Sequence, residues 1–518
     1  MYPGTYAAEA PDRAAAVMTG TGESLSYAEL ERHSVQLAHV LHDAGLRPGD
    51  VVALLTENNL RVFEVYWAAL RSGLYITAVN FRLKPDEVAY IVNDCGATAL
   101  IVSAEQAATA EAITGLTPTT EKVKLRLAFG GPVIGHGSYE ETIAAAPAIP
   151  FDDQPHGATM LYSSGTTGRP KGVRPPLPGI QVSEPGEALV TSASQFFGVN
   201  TETVYLSPGP IYHAAPLRWS GAVQALGGTV VMMKKFDAEQ ALQAIGDRHV
   251  THAQFVPTMF VRMLRLPPQV RDRYDISSLR VAIHAAAPCP VEVKQKMIGW
   301  WGPVLVEYYA GTESNGMTLI DSPTWLTRPG SVGRAVLGTL RICADDDDGT
   351  ELPAGEIGGV YFERDAVPFA YHNDPDQTRA AQHPRHPTWT TLGDIGYLDE
   401  DGFLFLTDRK AFMIISGGVN IYPQEIENVL ALHPAVYDVA VVGVPDPEMG
   451  ESVAAFIQPA DGTVRGPELA QEIVTFVKSK IAGFKAPKVV RFVDDLPRSE
   501  TGKLMKAELK AKYARPGS

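Results

Sequence analysis

From Tyr162 to Val173 the chain reads Tyr-Ser-Ser-Gly-Thr-Thr-Gly-Arg-Pro-Lys-Gly-Val, after an apolar lead-in from Ala158 to Leu161. Glycines let a backbone turn tightly and bring N–H groups close to a ligand. Successive N–H groups in such a turn form a concave anion site. The hydroxyls add donors, and Lys171 adds a mobile positive charge. The chemistry is phosphate binding, with Ser163, Ser164, Gly165, Thr166, Thr167, Gly168 and Lys171 as candidate contacts. A Walker A loop is excluded, because it needs four residues between its first Gly and a Gly-Lys-Ser/Thr. Here two residues separate Gly165 from Gly168, and Gly172 follows Lys171. A flexible Gly/Ser linker is the plain alternative, but linkers seldom place Lys and Pro in this way.

The stretch resembles the signature loop of the adenylate-forming enzymes, the superfamily of acyl-CoA synthetases, firefly-type luciferases and peptide-synthetase adenylation domains. Four further stretches extend the resemblance over most of the chain. Glu307 to Glu313, Glu-Tyr-Tyr-Ala-Gly-Thr-Glu, resembles the aromatic-Gly-x-Thr-Glu motif. The resemblance implies an aromatic ring near adenine and the acyl site, Thr312 on the α-phosphate and Glu313 on Mg²⁺. It places Glu307, Tyr308 and Tyr309 around AMP, and Tyr309, Ala310 and Gly311 beside the acid. Ala310 stands where Gly is usual. A carboxylate with water is the ordinary ligand set for the cation that ATP carries.

Trp389 to Asp394 resembles the Trp-x-x-Thr-Gly-Asp motif, with Leu392 in place of Thr. Asp394 is then expected to accept from the ribose diol, for which a carboxylate is a natural bidentate acceptor. Asp408 to Asn420 resembles the hinge motif. Arg409 is expected on the ribose or phosphate, and Gly417-Gly418 along the pantetheine tunnel of CoA. Ala411 replaces the usual Asp or Lys at the pivot. Leu496 to Leu504 resembles the Pro-Arg-x-x-x-Gly-Lys motif, which makes Lys503 the expected catalytic lysine. A protonated lysine on a long stem suits bridging a carboxylate and the α-phosphate as charge develops. Two softer sites remain. Ala286, Ala287 and Pro288 fall where the family runs small residues along adenine. His213 falls where the family often has a His near the acyl pocket, and it reads equally well as a hydrogen-bonded core histidine.

These residues need a scaffold. Ser26-Tyr27-Ala28-Glu29 has the form of a capping box, and apolar residues at helical spacing follow it up to Gly45. Short apolar runs at Val51 to Leu55, Gly73 to Val79 and Ala97 to Val102 alternate with helical patterns at Asn59 to Ser72 and Pro85 to Asn93. That alternation predicts an α/β domain with largely parallel sheets. Residues 174–200, rich in Pro, Gly and Ser, read as an exposed excursion. Helices are expected at Asp237 to Arg248 and Val291 to Trp300. A small antiparallel region is expected at Gly330 to Phe362, with Asp345 to Gly349 as a hairpin turn rather than a calcium loop. Gln382 to Pro387, with its histidines and prolines, reads as a surface loop. Near Asp438 to Val444 and Val453 to Ile457 the pattern is βαβ-like, with helices from Pro423 and Glu468. The expected organisation is a large N-terminal AMP- and acyl-binding domain, residues 1–408, and a small mobile α+β domain, residues 409–518, carrying Lys503.

At 518 residues two or more domains are expected. A net charge of −15 argues against nucleic acid as a partner and leaves small nucleotides open. Three scattered cysteines make neither a disulfide framework nor a zinc site, and a cytoplasmic setting fits them. No signal peptide or membrane span is visible. The resemblance implies an ATP-dependent acid–CoA ligase using ATP, Mg²⁺ and CoA. The expected acid is medium- or long-chain fatty, aromatic or polycyclic, since Ala286, Ala287, Ala310 and Gly311 are small. A stand-alone enzyme passing the acyl group to a carrier protein or an amine is the alternative, though no fused carrier domain is expected after Ser518. A non-catalytic acyl or nucleotide sensor is the remaining reading. A homodimer is open.

Overall fold

The computed structural model describes residues 2–114, 122–163, 170–409, 412–416, 419–498 and 504–513. Its first sheet is parallel throughout. Its strand order is Gly137–Ser138, Leu125–Phe129, Ala97–Ser103, Val51–Leu55, Tyr75–Val79 and Ala158–Thr159. All five side chains of Val51–Leu55 are buried, as a strand covered on both faces requires. Val52 and Leu54 face one core while Val51, Ala53 and Leu55 face another.

A second sheet of nine strands has a parallel centre, from Ala14–Met18 through Thr229–Met232, Val204–Ser207, His252–Phe255 and Val281–His284 to Leu305–Tyr309. Antiparallel strands close both of its edges. One apolar cluster joins the two sheets through the helices Tyr27–Asp43, Arg61–Leu70 and Ala214–Ala225. Two further clusters cover the outer faces. Helices therefore lie between and outside two sheets, each large apolar side chain contributing roughly 1.5–3 kcal/mol by its burial.

The capping box at Ser26 forms as its sequence predicts. The Ser26 Oγ accepts from the Glu29 N–H at 3.2 Å, and the Glu29 carboxylate accepts from the Ser26 N–H at 2.9 Å. The expected antiparallel region is present too. It is a four-stranded sheet of Thr339–Cys343, Gly358–Glu363, Trp389–Leu398 and Leu404–Arg409. The boundary placed between 408 and 409 falls just inside the last of these strands, and the C-terminal sheet begins at Ile414.

Three expectations need correction. Residues 174–200 are not simply an exposed excursion, because Ala188–Phe197 is a helix that buries Ala193 and Phe197. Its cap is Glu187, and Gly198 ends it at φ +69°, so its punctuation was hidden in a Pro/Gly/Ser-rich background. The loop around His383 is not merely surface. His383 is 3% exposed and its Nε2 lies 2.7 Å from the Gly349 carbonyl, tying the loop to the Asp345–Gly349 turn. Gly349 itself has φ +62°, and a Cβ there would strike the His383 ring. In the C-terminal unit, Val436–Asp446 and Gly450–Pro459 are partners in an antiparallel hairpin. The βαβ crossover runs from Gly450–Pro459 through helix Pro467–Lys480 to the parallel strand Val489–Phe492.

Replacing Ser26 by Ala removes one half of the capping box and is expected to cost about 1 kcal/mol. Urea unfolding would read this as a lower midpoint at unchanged slope. An unchanged midpoint would mean that packing alone holds the helix.

Candidate active site

The strands Leu161–Ser163 and Lys171–Arg174 pair antiparallel, with Lys171 opposite Ser163. Ser164, Gly165, Thr166, Thr167 and Gly168 between them lie outside the described residues, as does the side chain of Ser163. The Lys171 Nζ donates to the Gln377 Oε1 at 2.7 Å and sits 5.7 Å from the centre of the Tyr371 ring. The Tyr371 hydroxyl donates to the Glu313 Oε1 at 2.9 Å. This holds a cation near the ring and a carboxylate at the hydroxyl of one tyrosine. It is a fitting arrangement for a phosphate chain and the divalent ion that travels with it. Among the described residues no group of three or more His, Cys, Asp and Glu could hold a metal alone. Glu313 therefore fits a Mg²⁺ whose other ligands come from phosphate oxygens and water.

The strands Val281–His284 and Leu305–Tyr309 end beside one another, with His284 opposite Glu307. Ala285, Ala286, Ala287 and Pro288 follow the first. Ala286 adopts φ +73°, a left-handed conformation that L side chains resist. Neighbouring residues of the second strand point to opposite faces. The Tyr309 hydroxyl donates to the Asp394 Oδ2 at 2.7 Å. The Tyr308 hydroxyl instead accepts from Trp219 Nε1 at 3.3 Å and Gln254 Nε2 at 2.8 Å. Gly311 permits a close approach: a Cβ there would lie 2.7 Å from Leu392 and 2.8 Å from the Glu313 carboxylate. Leu392, the departure from Thr, thus packs on the backbone at Gly311.

Lys171, His213, Ala286, Ala287, Pro288, Tyr308, Tyr309, Ala310, Gly311, Thr312, Glu313 and Asp394 line one cavity of about 2140 Å³. His213 sits at the N-cap of helix Ala214–Ala225, its ring centre 4.5 Å from that of Tyr212. The backbone of Arg409 pairs with Asp394, while its side chain is not among those described. Gly417, Gly418, Lys503 and the hinge residue Ala411 lie outside the described residues. The flanks of Lys503 also line the cavity, where Arg498 and Leu504 form an antiparallel bridge.

Sequence reasoning missed Tyr371, Gln377, Gln254 and Arg218. Only Arg218 carried a local signal, as the one charge on an apolar helix. It also missed Arg265, which reaches the C-terminal unit, donating to the Tyr437 carbonyl at 2.7 Å and stacking 4.3 Å from its ring centre.

Glu307 also lines the cavity, and its carboxylate lies 2.5 Å from the Lys294 Nζ and 3.7 Å from the His284 Nε2. Burial pushes the Glu307 carboxyl up, and the Lys294 ammonium opposes this. His284 is fully buried, and neither ring nitrogen has a hydrogen-bond partner. Burial, with the Lys294 charge added, holds its pKa well below the ordinary histidine value. In the unfolded chain the same ring takes a proton near pH 6.5. The unfolded state then binds more protons, so stability is lost as pH falls below about 6.5. The expected contribution is up to about 1.4 kcal/mol per pH unit. His284→Leu should flatten the decline of unfolding free energy between pH 6.5 and 5. Identical slopes in both proteins would overturn this assignment.

The profile of the AMP-binding enzyme family matches residues 5–372, and that of the AMP-binding enzyme C-terminal domain matches residues 425–503. A fatty acid–[acyl-carrier-protein] ligase of Streptomyces coeruleorubidus is 32% identical over 503 residues, covering 95% of this chain and 92% of that protein. A feruloyl-CoA synthase of an Amycolatopsis species is 33% identical over 508 residues, covering 95% and 94%. The structure of an amide bond synthetase from Marinactinospora thermotolerans superposes with a TM-score of 0.80 at 26% identity, covering 99% of this chain and all of that one. On these matches the chain belongs to the AMP-binding, adenylate-forming enzyme family and is an AMP-forming ligase.

Proposed function

We propose that the protein is an ATP-dependent acid–CoA ligase acting in the cytoplasm. The observation that carries the nucleotide half is the convergence of Asp394, held by Tyr309, and Glu313, held by Tyr371, in one cavity with Lys171. In the first step a carboxylate oxygen of the acid attacks the α-phosphorus of ATP. The bond from that phosphorus to the bridging oxygen breaks, pyrophosphate leaves, and acyl-AMP remains. In the second step the sulfur of CoA attacks the acyl carbon. The bond to AMP breaks, the thiol proton is released, and the thioester forms.

Each group has a role in this reading. Asp394 accepts from the ribose hydroxyls, and Tyr309 fixes the carboxylate by its own hydrogen bond. Ala286, Ala287 and Pro288 line adenine. Thr312 reaches the α-phosphate, while Lys171 meets the outer phosphates. Mg²⁺ on Glu313 supplies charge neutralisation when bound. Lys503 bridges acid and α-phosphate during the first step, with Arg409 on the nucleotide. A rotation of the small domain, residues 409–518, then exchanges Lys503 for Gly417 and Gly418, which line the path of CoA. His213, Ala310 and Gly311 border the acid. The protein thereby contributes position and charge rather than a covalent nucleophile.

CoA as acceptor is supported by the feruloyl-CoA synthase, and an apolar acid by the Ala188, Leu189, Ala214, Ala215 and Trp219 lining. The carrier-protein and amide-forming relatives favour a second reading, in which the same acyl-AMP passes to a carrier or an amine. Mass spectrometry of products from enzyme, Mg-ATP and pooled carboxylic acids, with and without CoA, separates them. Acyl-CoA formed only when CoA is present is the expected result. Acyl-AMP accumulating beside untouched CoA would move the assignment to the second reading.

Two variants test the roles. Lys503→Ala is expected to slow acyl-AMP formation roughly 100- to 1,000-fold, as for loss of one oriented cationic or donor group. It should leave thioester formation from supplied acyl-AMP nearly intact. Equal loss in both half-reactions would remove Lys503 from its step. Asp394→Asn should raise the KM for ATP roughly 10- to 100-fold, the worth of about 1.5–3 kcal/mol for hydrogen bonds to a charged group. An unchanged KM would place the ribose elsewhere.

A further inference from the structure

Arg218 is the one charged residue of helix Ala214–Ala225. It is half-buried and lines the cavity beside Trp219 and Tyr308, across from Ala188, Leu189 and Ser192 of the neighbouring helix. Its one hydrogen bond among the described residues runs from Nη1 to the Ser314 Oγ at 3.0 Å. Among those residues no carboxylate lies within ion-pair distance of it. The nearby Glu187 is occupied as the cap of its own helix, accepting from the Val190 N–H at 2.7 Å. A guanidinium carries five N–H donors. One neutral hydroxyl leaves most of them without a protein acceptor, and a charge in an apolar wall is costly unless it is paired.

A second donor faces the same space. The Tyr308 hydroxyl oxygen already accepts two N–H bonds, from Trp219 and Gln254. In this arrangement the Gln254 Oε1 accepts from the Tyr205 hydroxyl at 3.0 Å. The proton of the Tyr308 hydroxyl is left for a further acceptor, and the described residues offer none. The wall so formed presents two donors, while Ala188, Leu189, Ala214 and Ala215 around it are apolar.

We propose that Arg218 and Tyr308 form a subsite for a second oxygen acceptor on the acid, a carboxylate or a ketone carbonyl, remote from the carboxyl group that is activated. This rests on the acid-activating reading above and narrows its substrate class. The acid is a dicarboxylate or an oxo acid with an apolar body, rather than a plain alkanoate. The apolar walls hold the body, and the two donors hold its far end. An acid without the acceptor leaves both donors unpaired on binding, which is how a polar site rejects an isosteric apolar ligand.

The test measures pyrophosphate release by the full chain with Mg-ATP and length-matched acids. The set holds α,ω-dicarboxylic acids, oxo acids, and the corresponding alkanoic and arylalkanoic acids. The wild type is expected to favour an acceptor-bearing acid over its plain match in kcat/KM. Arg218→Leu should reduce that ratio roughly 10- to 100-fold for the dicarboxylate, since hydrogen bonds to a charged group are the stronger kind. Tyr308→Phe should reduce it mainly for the oxo acid, so the two variants distinguish the acceptor's source. Arg218→Leu should not change the KM for ATP. Calorimetric binding of the same acids without ATP reads the subsite independently of turnover, and the same ratios should fall there. An unchanged ratio in both variants, or a wild type that prefers the plain acid, would overturn the subsite while leaving the ligase reading in place. A raised KM for ATP in Arg218→Leu would reassign that cation to the phosphates. If no acid released pyrophosphate, the ligase reading would fall, and calorimetry would still decide the subsite.

Discussion

The candidate site depends on the parallel pairing of Val281–His284 with Leu305–Tyr309. Parallel strands finish on one edge of a sheet, so the loops that follow them must share that edge. Here the loops are Ala285–Pro288 and Ala310–Glu313, and they border the same cavity. The register also sets His284 opposite Glu307, and Lys294 reaches Glu307 from helix Val291–Trp301. Two buried charges at 2.5 Å gain little net stability after their desolvation is counted. Losing one partner is a different matter, since an uncompensated buried charge costs about 3–5 kcal/mol. The pair therefore acts as a register pin. It penalises any slip between helix and strand that would separate the two loops.

Strand alternation then sorts the ligands. Tyr308 and Tyr309 are adjacent in sequence, yet one hydroxyl joins Trp219 and Gln254 while the other joins Asp394. On the proposed reading, a single backbone strand serves the acid with one face and the nucleotide with the other. No separate scaffold is needed to hold acid and ribose in fixed relation. The bare backbone at Gly311 lies next along the chain, where Leu392 and Glu313 leave no room for a side chain. That crowding explains why an apolar residue at 392 is compatible with the site. Leu392 fills space against Gly311 instead of offering a hydroxyl.

What could be read from the sequence was what is encoded locally. The Ser26 capping box, the buried strand Val51–Leu55 and the run from Tyr309 to Glu313 each carry their pattern within a few residues. The partners of the functional groups are not local. Lys171 meets Gln377 across 206 positions, Tyr309 meets Asp394 across 85, and Tyr371 meets Glu313 across 58. Tyr371 and Gln377 belong to no short motif, and only the folded chain brings them to the carboxylate and the lysine. Local composition misled at 174–200, where many Pro, Gly and Ser residues concealed a capped helix whose Phe197 ring packs edge-on against Trp219 at 4.8 Å. It misled again at His383, because two nearby prolines argue against a helix without arguing for exposure.

Charge raises the last question, because a chain of net charge −15 in a family that uses ATP must attract a strongly anionic ligand. At physiological ionic strength charges are screened beyond about 8 Å. The overall acidity is therefore largely invisible inside the cavity, where the nearest few groups decide. Lys171 and Glu313 both contact Tyr371, and Arg218 stands elsewhere in the cavity, its one hydrogen bond among the described residues going to Ser314. Lys171 and Arg218, among the cations that line the cavity, each favour negative charge in a different part of it. On the proposed reading, an acid that carried charge at one end alone could bind in either direction, carboxyl toward the nucleotide or carboxyl toward Arg218. On that reading, an acid with an acceptor at its far end pairs that end with Arg218 and keeps its reactive carboxyl at the nucleotide. On the proposed reading, the same distribution that lets an acidic protein hold ATP also orients the molecule that ATP activates.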